Sequence, residues 1–322
     1  MTGSLAIRPY TRGLHDLGNG AWAWLQPSGG WGWSNAGLVV DGEHSLLVDT
    51  LFDLKLTAEM LAAMRASVPA ARSVGAVVNT HANGDHCNGN SLLPAAEIIA
   101  SAATAEEMRH ETPAVMVEYK KVAPALGEMG EFFLRCFGAF DFEGITQRLP
   151  TLTFCGSLAL AVGDKQVELT QVGPAHTHGD TLVHVPADKV VYTGDILFIE
   201  GHPIMWAGPV GNWIDACERI LALDVETVVP GHGPVTDKRG VRAVRDYLAY
   251  VRDEARRRFD AGMPAWEAAL DISLADWSSW GDAERIVVNV DTMYREFSGS
   301  DQPADVVAMF ALMARIRRER RQ

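Results

Sequence analysis

Short apolar runs separated by polar turns fill residues 37–229, and helical spacing takes over from residue 236. The runs 37–41 and 45–49 flank the polar turn Gly42-Glu43-His44 and predict a hairpin. Residues 54–66 place apolar side chains at helical intervals and stop before Pro69. A β-branched run at 74–78 ends at Asn79, and 97–100 predicts the next strand. Residues 101–150 read as mostly helical, with breaks at Pro113 and Pro124. Strand-like runs resume at 152–154, 157–162, 167–172, 181–185 and 190–193, before a helix over 211–223 and a strand over 226–229. Each half thus holds consecutive strands followed by a helix and a further strand. That order predicts an α/β sandwich of two mixed β-sheets flanked by helices, with a helical C-terminal extension. The expected division is a core over 1–235, including a helical insertion at about 101–150, and an extension over 236–322. No Pro-, Gly- or Ser-rich linker separates the two, so the extension is expected to pack on the core.

Composition narrows the function classes. The chain has 322 residues, 48% of them hydrophobic, which is enough for a sizeable core without covalent staples. A formal net charge of -13 argues against general nucleic-acid binding, which needs clustered Lys and Arg. The one basic run, Arg315 to Arg321, reads as a solvated last helical turn. The four cysteines are scattered with no Cys-x-x-Cys pair, which fits reduced thiols better than a zinc ribbon. Neither a signal-like N-terminus nor an apolar run near the ~20 residues of a membrane span is visible. A cytoplasmic protein acting on a small molecule, without nucleic-acid or membrane partners, is the expectation, and self-association is open.

The chemistry concentrates at four stations where expected strands give way to loops. They are His81-Ala82-Asn83-Gly84-Asp85-His86, Gly173-Pro174-Ala175-His176-Thr177-His178-Gly179-Asp180, Tyr192-Thr193-Gly194-Asp195 and Pro230-Gly231-His232-Gly233-Pro234. Imidazole and carboxylate groups of this kind bind borderline metals such as zinc. In order and spacing the stations, with the lead-in Leu47-Val48-Asp49-Thr50, resemble the metal-binding signature of the metallo-β-lactamase superfamily over roughly residues 35–235. The signature is His-x-His-x-Asp-His, and this chain departs from it once, with Asn83 at the second histidine.

The resemblance implies the αββα sandwich of that superfamily and a metal-dependent hydrolase. By it, His81, Asn83 and His176 correspond to a first metal site, Asp85, His86 and His232 to a second, and Asp195 to a carboxylate bridging both. One or two Zn2+ ions are implied, with Fe or Mn as alternatives, and metal-activated water as the nucleophile. Asp85 would also orient that nucleophile or accept its proton. Asn83 leaves three outcomes open: ligation through its amide oxygen, a role behind the ligands, or an empty first site. A filled second site and a weaker first one is the preferred reading.

Other residues carry two readings each. Asp49 either orients a ligand histidine or caps a strand end. His178 is a catalytic candidate as proton donor, or a satisfied loop histidine. Asp180 reads as a loop cap and Cys87 as a small buried side chain. Trp31, Trp33, Trp206 and Trp213 flank the stations and are candidate substrate contacts for an apolar or aromatic body, with loop packing or a dimer contact as the alternative. Trp277, Trp280 and Met293 read as helix packing rather than a lid. No Lys or Arg stands beside any station, although an Arg of the extension such as Arg285 could fold back. The resulting expectation is hydrolysis of a small ester, thioester, lactone or amide. An iron-dependent redox enzyme on the same fold and a non-catalytic binding module are the alternatives.

Overall fold

The computed structural model describes residues 3–300, 302 and 304–319. Seven strands form the first sheet in chain order: β1 (Gly13–Gly18), β2 (Ala21–Leu25), β3 (Ala36–Asp41), β4 (His44–Val48), β5 (Ala76–Val78), β6 (Glu97–Ser101) and β7 (Leu152–Phe154). Pairing is antiparallel from β1 to β4 and parallel from β4 to β7. The second sheet holds β8 (Ser157–Val162), β9 (Lys165–Gln171), β10 (Thr181–Val185), β11 (Val190–Tyr192) and β12 (Thr227–Val229) in the order β12-β11-β10-β9-β8. Only the β11–β12 pair is parallel there. These are the two mixed sheets expected from the strand order.

Period-two alternation decides which residues meet between the sheets. Leu46 and Val48 of β4, Val78 of β5 and Ile99 of β6 join Val167, Val183 and Val185 of the second sheet in one buried cluster. Their neighbours Leu47, Val77 and Ile98 face the helical side and join the larger cluster there. The sheets approach closely at β3, where a Cβ on Gly37 would lie 2.3 Å from the Tyr192 ring. The Tyr192 hydroxyl crosses the gap to donate to the Trp22 carbonyl at 3.0 Å.

The helices are α1 (Leu54–Ser67), α2 (Gly84–Cys87), α3 (Ala102–Met108), α4 (Pro113–Val122), α5 (Gly127–Phe137), α6 (Val210–Ala222), α7 (Lys238–Asp260), α8 (Ala265–Asp271), α9 (Ile286–Ser298) and α10 (Val306–Glu319). Pro113 opens α4, where its missing N–H costs nothing. The helices after residue 236 pack onto the rest through buried polar contacts as well as apolar ones. Asn289 of α9 accepts from the Met205 amide at 2.8 Å and donates to the Pro203 carbonyl at 2.9 Å. Trp277, Trp280 and Met293 are buried in this helical layer. Arg317, read from sequence as solvated, instead donates twice to the buried Glu284 carboxylate, at 2.9 and 3.0 Å; residues 320 and 321 of that run lie outside the described residues. Among the described residues no helix is long and apolar enough to cross a membrane, and Cys87, Cys136, Cys155 and Cys217 are free thiols.

Candidate metal centre

Strand ends bring the four stations to one edge of the sandwich. β5 leads into Asn79, Thr80 and His81, β11 into Asp195, and β12 into His232, while the 173–180 loop with His176 precedes β10. Asp85 and His86 ride on the single turn of α2. That turn is pinned from behind: the His86 carbonyl accepts from the Thr50 amide and from Asn79 Nδ2, both at 2.9 Å. The Asp85 carbonyl accepts from Ser34 Oγ at 2.5 Å. Asp180 closes the loop of His176 by accepting from the Thr177 amide and hydroxyl, the latter at 2.7 Å. Burial pushes the Asp180 carboxyl up to about 8, in keeping with a structural rather than a catalytic placement. Glycine is required at position 231, where a Cβ would sit 2.0 Å from Asp195 Oδ1.

All four histidines are aimed the same way. His176 Nδ1 donates to the Ile204 carbonyl at 2.6 Å, His232 Nδ1 to the Gly29 carbonyl at 3.1 Å, and His86 Nδ1 to Asp49 Oδ2 at 2.9 Å. Thr80 Oγ1 gives its proton to Asp49 Oδ2 at 2.8 Å, so it accepts from His81 Nδ1 at 3.1 Å. These partners assign the Nδ1–H tautomer to each ring and turn every Nε2 inward. Asp49 therefore serves two of the four rings, one directly and one through Thr80. Of its two sequence readings, the geometry places it behind the histidines.

The inward atoms form two groups whose members lie within 4.8 Å of one another: His81, His176 and Asp195, and Asp85, His86 and His232. Asp195 faces both, with Oδ1 3.1 Å from His86 Nε2 and Oδ2 3.4 Å from the Nε2 atoms of His176 and His232. His81 Nε2, His86 Nε2 and Asp195 Oδ1 are buried with no hydrogen-bond partner. Buried lone pairs converging in this way are costly unless a proton or a metal cation satisfies them. The residues present thus fit one or two metal ions.

The groups differ in charge. Burial lowers His176 and takes His81 well below its ordinary value, outweighing the pull of Asp195. Burial would lower His232 and His86 as well. The carboxylates of Asp195 and Asp85 instead push His232 up to about 9, and with Asp49 they raise His86 well above its ordinary value. A cation at the second group would displace those protons. Asn83 stands at the first group, its Oδ1 2.8 Å from His176 Nε2 and its Nδ2 donating to Glu111 Oε2 at 3.2 Å.

A cavity of about 720 Å3 opens onto both groups, with Asn83, Asp85, His176, Asp195 and His232 at its polar end. Its far wall is apolar, built by Met116 and Tyr119 of α4, Phe133 of α5 and Phe310 of α10. Trp31 and Trp206 line it. Trp33 does not. It packs on Phe140, ring centroids 4.8 Å apart, and leaves the cavity wall to its neighbour. Trp213 also departs from the substrate role expected of it. It is fully buried, donates Nε1 to the Ile196 carbonyl at 2.9 Å, and backs the His176 ring edge-on at 5.9 Å. His178 lines the cavity near its exposed rim, with Nδ1 2.5 Å from Glu107 Oε1. Cys87 is buried and donates to the Ala82 carbonyl, and burial lifts its thiol well above the ordinary range, so it is not a poised nucleophile.

Arg285 does reach the cavity, but as part of its wall. Its guanidinium lies 4.5 Å from the Trp31 ring centroid and 5.0 Å from that of Phe198, and it pairs with Asp282 at 3.2 Å. Phe198 in turn stacks on His232, interplanar angle 4°. The extension thereby braces His232 of the second donor group through two stacked groups. The lining from α10 was beyond sequence reasoning because it joins residues far apart in the chain, and Arg285, named there as able to fold back, was not expected to stack on Trp31 and Phe198.

Comparison with known proteins agrees with this geometry. The chain resembles the 2,4-dinitroanisole O-demethylase subunit alpha of Nocardioides sp. (strain JS1661), at 28% identity over 155 residues. That match takes in 45% of this chain and spans only 37% of the relative's length. Among solved structures, a metallo-beta-lactamase from Pontibacter korlensis superposes with TM-score 0.57 at 18% identity, covering 73% of this chain and 98% of that one. The stereoselective inverting sec-alkylsulfatase Pisa1 from Pseudomonas sp. superposes with TM-score 0.65 at 15% identity, covering 89% of this chain and 50% of that one. At such identities these two likenesses speak for the fold alone. The family model of the metallo-beta-lactamase superfamily matches residues 29–232, a span that holds every residue of both donor groups, and the chain belongs to that superfamily.

Proposed function

We propose that the protein is a metal-dependent hydrolase cleaving an ester-type bond in a small molecule with an apolar or aromatic body. One observation carries the reading: the two donor groups lie at the polar end of a cavity whose remaining wall is mostly apolar and aromatic. His81, His176 and Asp195, with Asn83 beside them, would hold one ion, and Asp85, His86, His232 and Asp195 the other. When bound, zinc or a similar ion supplies Lewis acidity at the scissile group and lowers the pKa of water from ~16 towards ~7.

The chain's own residues supply the rest. Trp31, Trp206 and Phe310 exclude water around the substrate body and hold it by area and ring contact. Asp85 Oδ2, 3.3 Å from His232 Nε2, faces the cavity as an acceptor that orients the attacking water. His178, fixed by Glu107, stands at the rim as proton donor to the leaving group.

The test is turnover by zinc-loaded protein across paired substrates, each bond class carried once on an aromatic body and once on a short aliphatic one. Esters, thioesters, lactones and amides come first. The similar alkylsulfatase and O-demethylase subunit add sulfate esters and aryl methyl ethers. Faster kcat/KM on the aromatic member of at least one class is the expected result. Tight zinc binding with no turnover in any class would favour a binding module instead, and an iron-dependent, oxygen-consuming activity would favour redox chemistry.

A further inference from the structure

We propose that Glu111 locks the Asn83 amide so that Oδ1, a neutral oxygen, completes the first donor group. The centre is then asymmetric, with its second group filling before its first. This rests on the metal-centre reading above and adds the role of two residues to it.

Glu111 Oε2 lies 3.2 Å from Asn83 Nδ2, and a carboxylate can only accept. The NH2 of the amide is therefore turned outward and Oδ1 inward. Glu111 is itself anchored, because its backbone amide donates to the Glu107 carbonyl at 3.1 Å and its carbonyl accepts from Gln147 Nε2 at 2.8 Å. Inside, Asn83 Oδ1 meets His176 Nε2 at 2.8 Å. The proton of His176 sits at Nδ1, committed to the Ile204 carbonyl. Two lone pairs thus face each other without a proton between them. Such a pair is repulsive alone and is satisfied when both atoms ligate one cation. Metal–ligand distances near 2.1 Å place neighbouring ligand atoms of a tetrahedral ion about 3.4 Å apart, so the 2.8 Å pair would open by a few tenths of an ångström on binding.

The two groups then match atom for atom except at one position. Each has two imidazoles and a share of Asp195. The second adds the charged Asp85, and the first adds the neutral Asn83. A neutral amide oxygen attracts a divalent cation less than a carboxylate does. Unequal affinity follows from this single difference, and Glu111, which touches no ion, acts as a positioning residue.

Stepwise zinc affinities, read by chelator competition on wild-type protein, Asn83→Ala, Asn83→Asp and Glu111→Gln, test the proposal without using activity. The wild type should take up two zinc ions in two resolved steps. Asn83→Ala should weaken the looser step by at least about 10-fold and leave the tighter one in place, whereas Asn83→Asp should narrow the gap. Glu111→Gln, whose amide can donate as well as accept, should weaken the looser step by about 10- to 100-fold, the range for residues that orient ligands. The proposal is overturned if Asn83→Ala leaves both steps unchanged, or if Glu111→Gln matches wild type. Failure of the wild type to bind zinc at all would sink the metal-centre reading with it, so the two failures are told apart.

Discussion

The donor group of His81 and His176 and the group of His86 and His232 share Asp195 and are both buried, yet their histidines shift in opposite directions. In the first, the rings lean on neutral partners, the Thr80 hydroxyl and the Ile204 carbonyl, and burial takes both histidines below their ordinary values. In the second, Asp49 stands behind His86 and Asp85 stands beside His232. Asp195 first, and then these two carboxylates, overcome burial and push both rings up. The lesson is that charge in the surrounding shell, rather than the count of histidines, sets how strongly each group demands a cation. The second group holds protons that a metal must displace, whereas the first group presents neutral imidazoles.

Breaking the shared element has the largest expected effect. Asp195→Ala removes the carboxylate that faces both groups, so elemental analysis should find both zinc equivalents depleted. Activity should fall by more than the ~100-fold typical of losing a supporting residue. Retention of one full equivalent would mean that the groups are less dependent on Asp195 than their geometry indicates.

Asp49→Ala sharpens the comparison. It strips the direct support of His86 and only the relayed support of His81, so zinc affinity at the tighter step should drop by about 10- to 100-fold, more than at the looser step. Equal losses at both steps would contradict the placement of Asp49 chiefly behind the second group.

Changing pH probes the same asymmetry. His232 is pushed up to about 9 from an ordinary value near 6.5, so without metal its stabilising proton is fully in place below about 6.5. That stability is lost as pH rises through about 9. Zinc must displace the proton, so over the same window apparent zinc affinity at the tighter step should rise while metal-free thermal stability declines. Opposite slopes in the two measurements are the expected signature, and parallel slopes would count against it.

The smallest effect is expected far from the ions. Phe310→Trp narrows the apolar end of the cavity and should shift preference toward shorter substrate bodies, by about 10-fold in relative kcat/KM, while leaving zinc stoichiometry unchanged.

The sandwich and the donor residues were legible because both are written in local patterns. Apolar runs end two or three residues before His81, Asp195 and His232, and the order of these stations carries the family resemblance. Strands β1 and β2 were not legible. Gly13–Gly18 is largely polar, and in Ala21–Leu25 tryptophans alternate with alanines, so both faces read as unremarkable although both are packed. Nearness in sequence misled for Trp213: it follows Asp195 closely but turns into the core, whereas Phe310, remote from every station, reaches the cavity. The amide of Asn83 had three open readings until the tertiary fold supplied Glu111 and His176 as its neighbours.

The central claim is that these side chains form a metal centre. Its most direct test is a calorimetric zinc titration of chelator-stripped wild-type protein at pH 7, repeated in buffers of different ionisation enthalpy. The account predicts a tight first binding event accompanied by proton release, followed by a weaker second one. Absence of any binding tighter than about millimolar, or tight binding with no proton released, would contradict it.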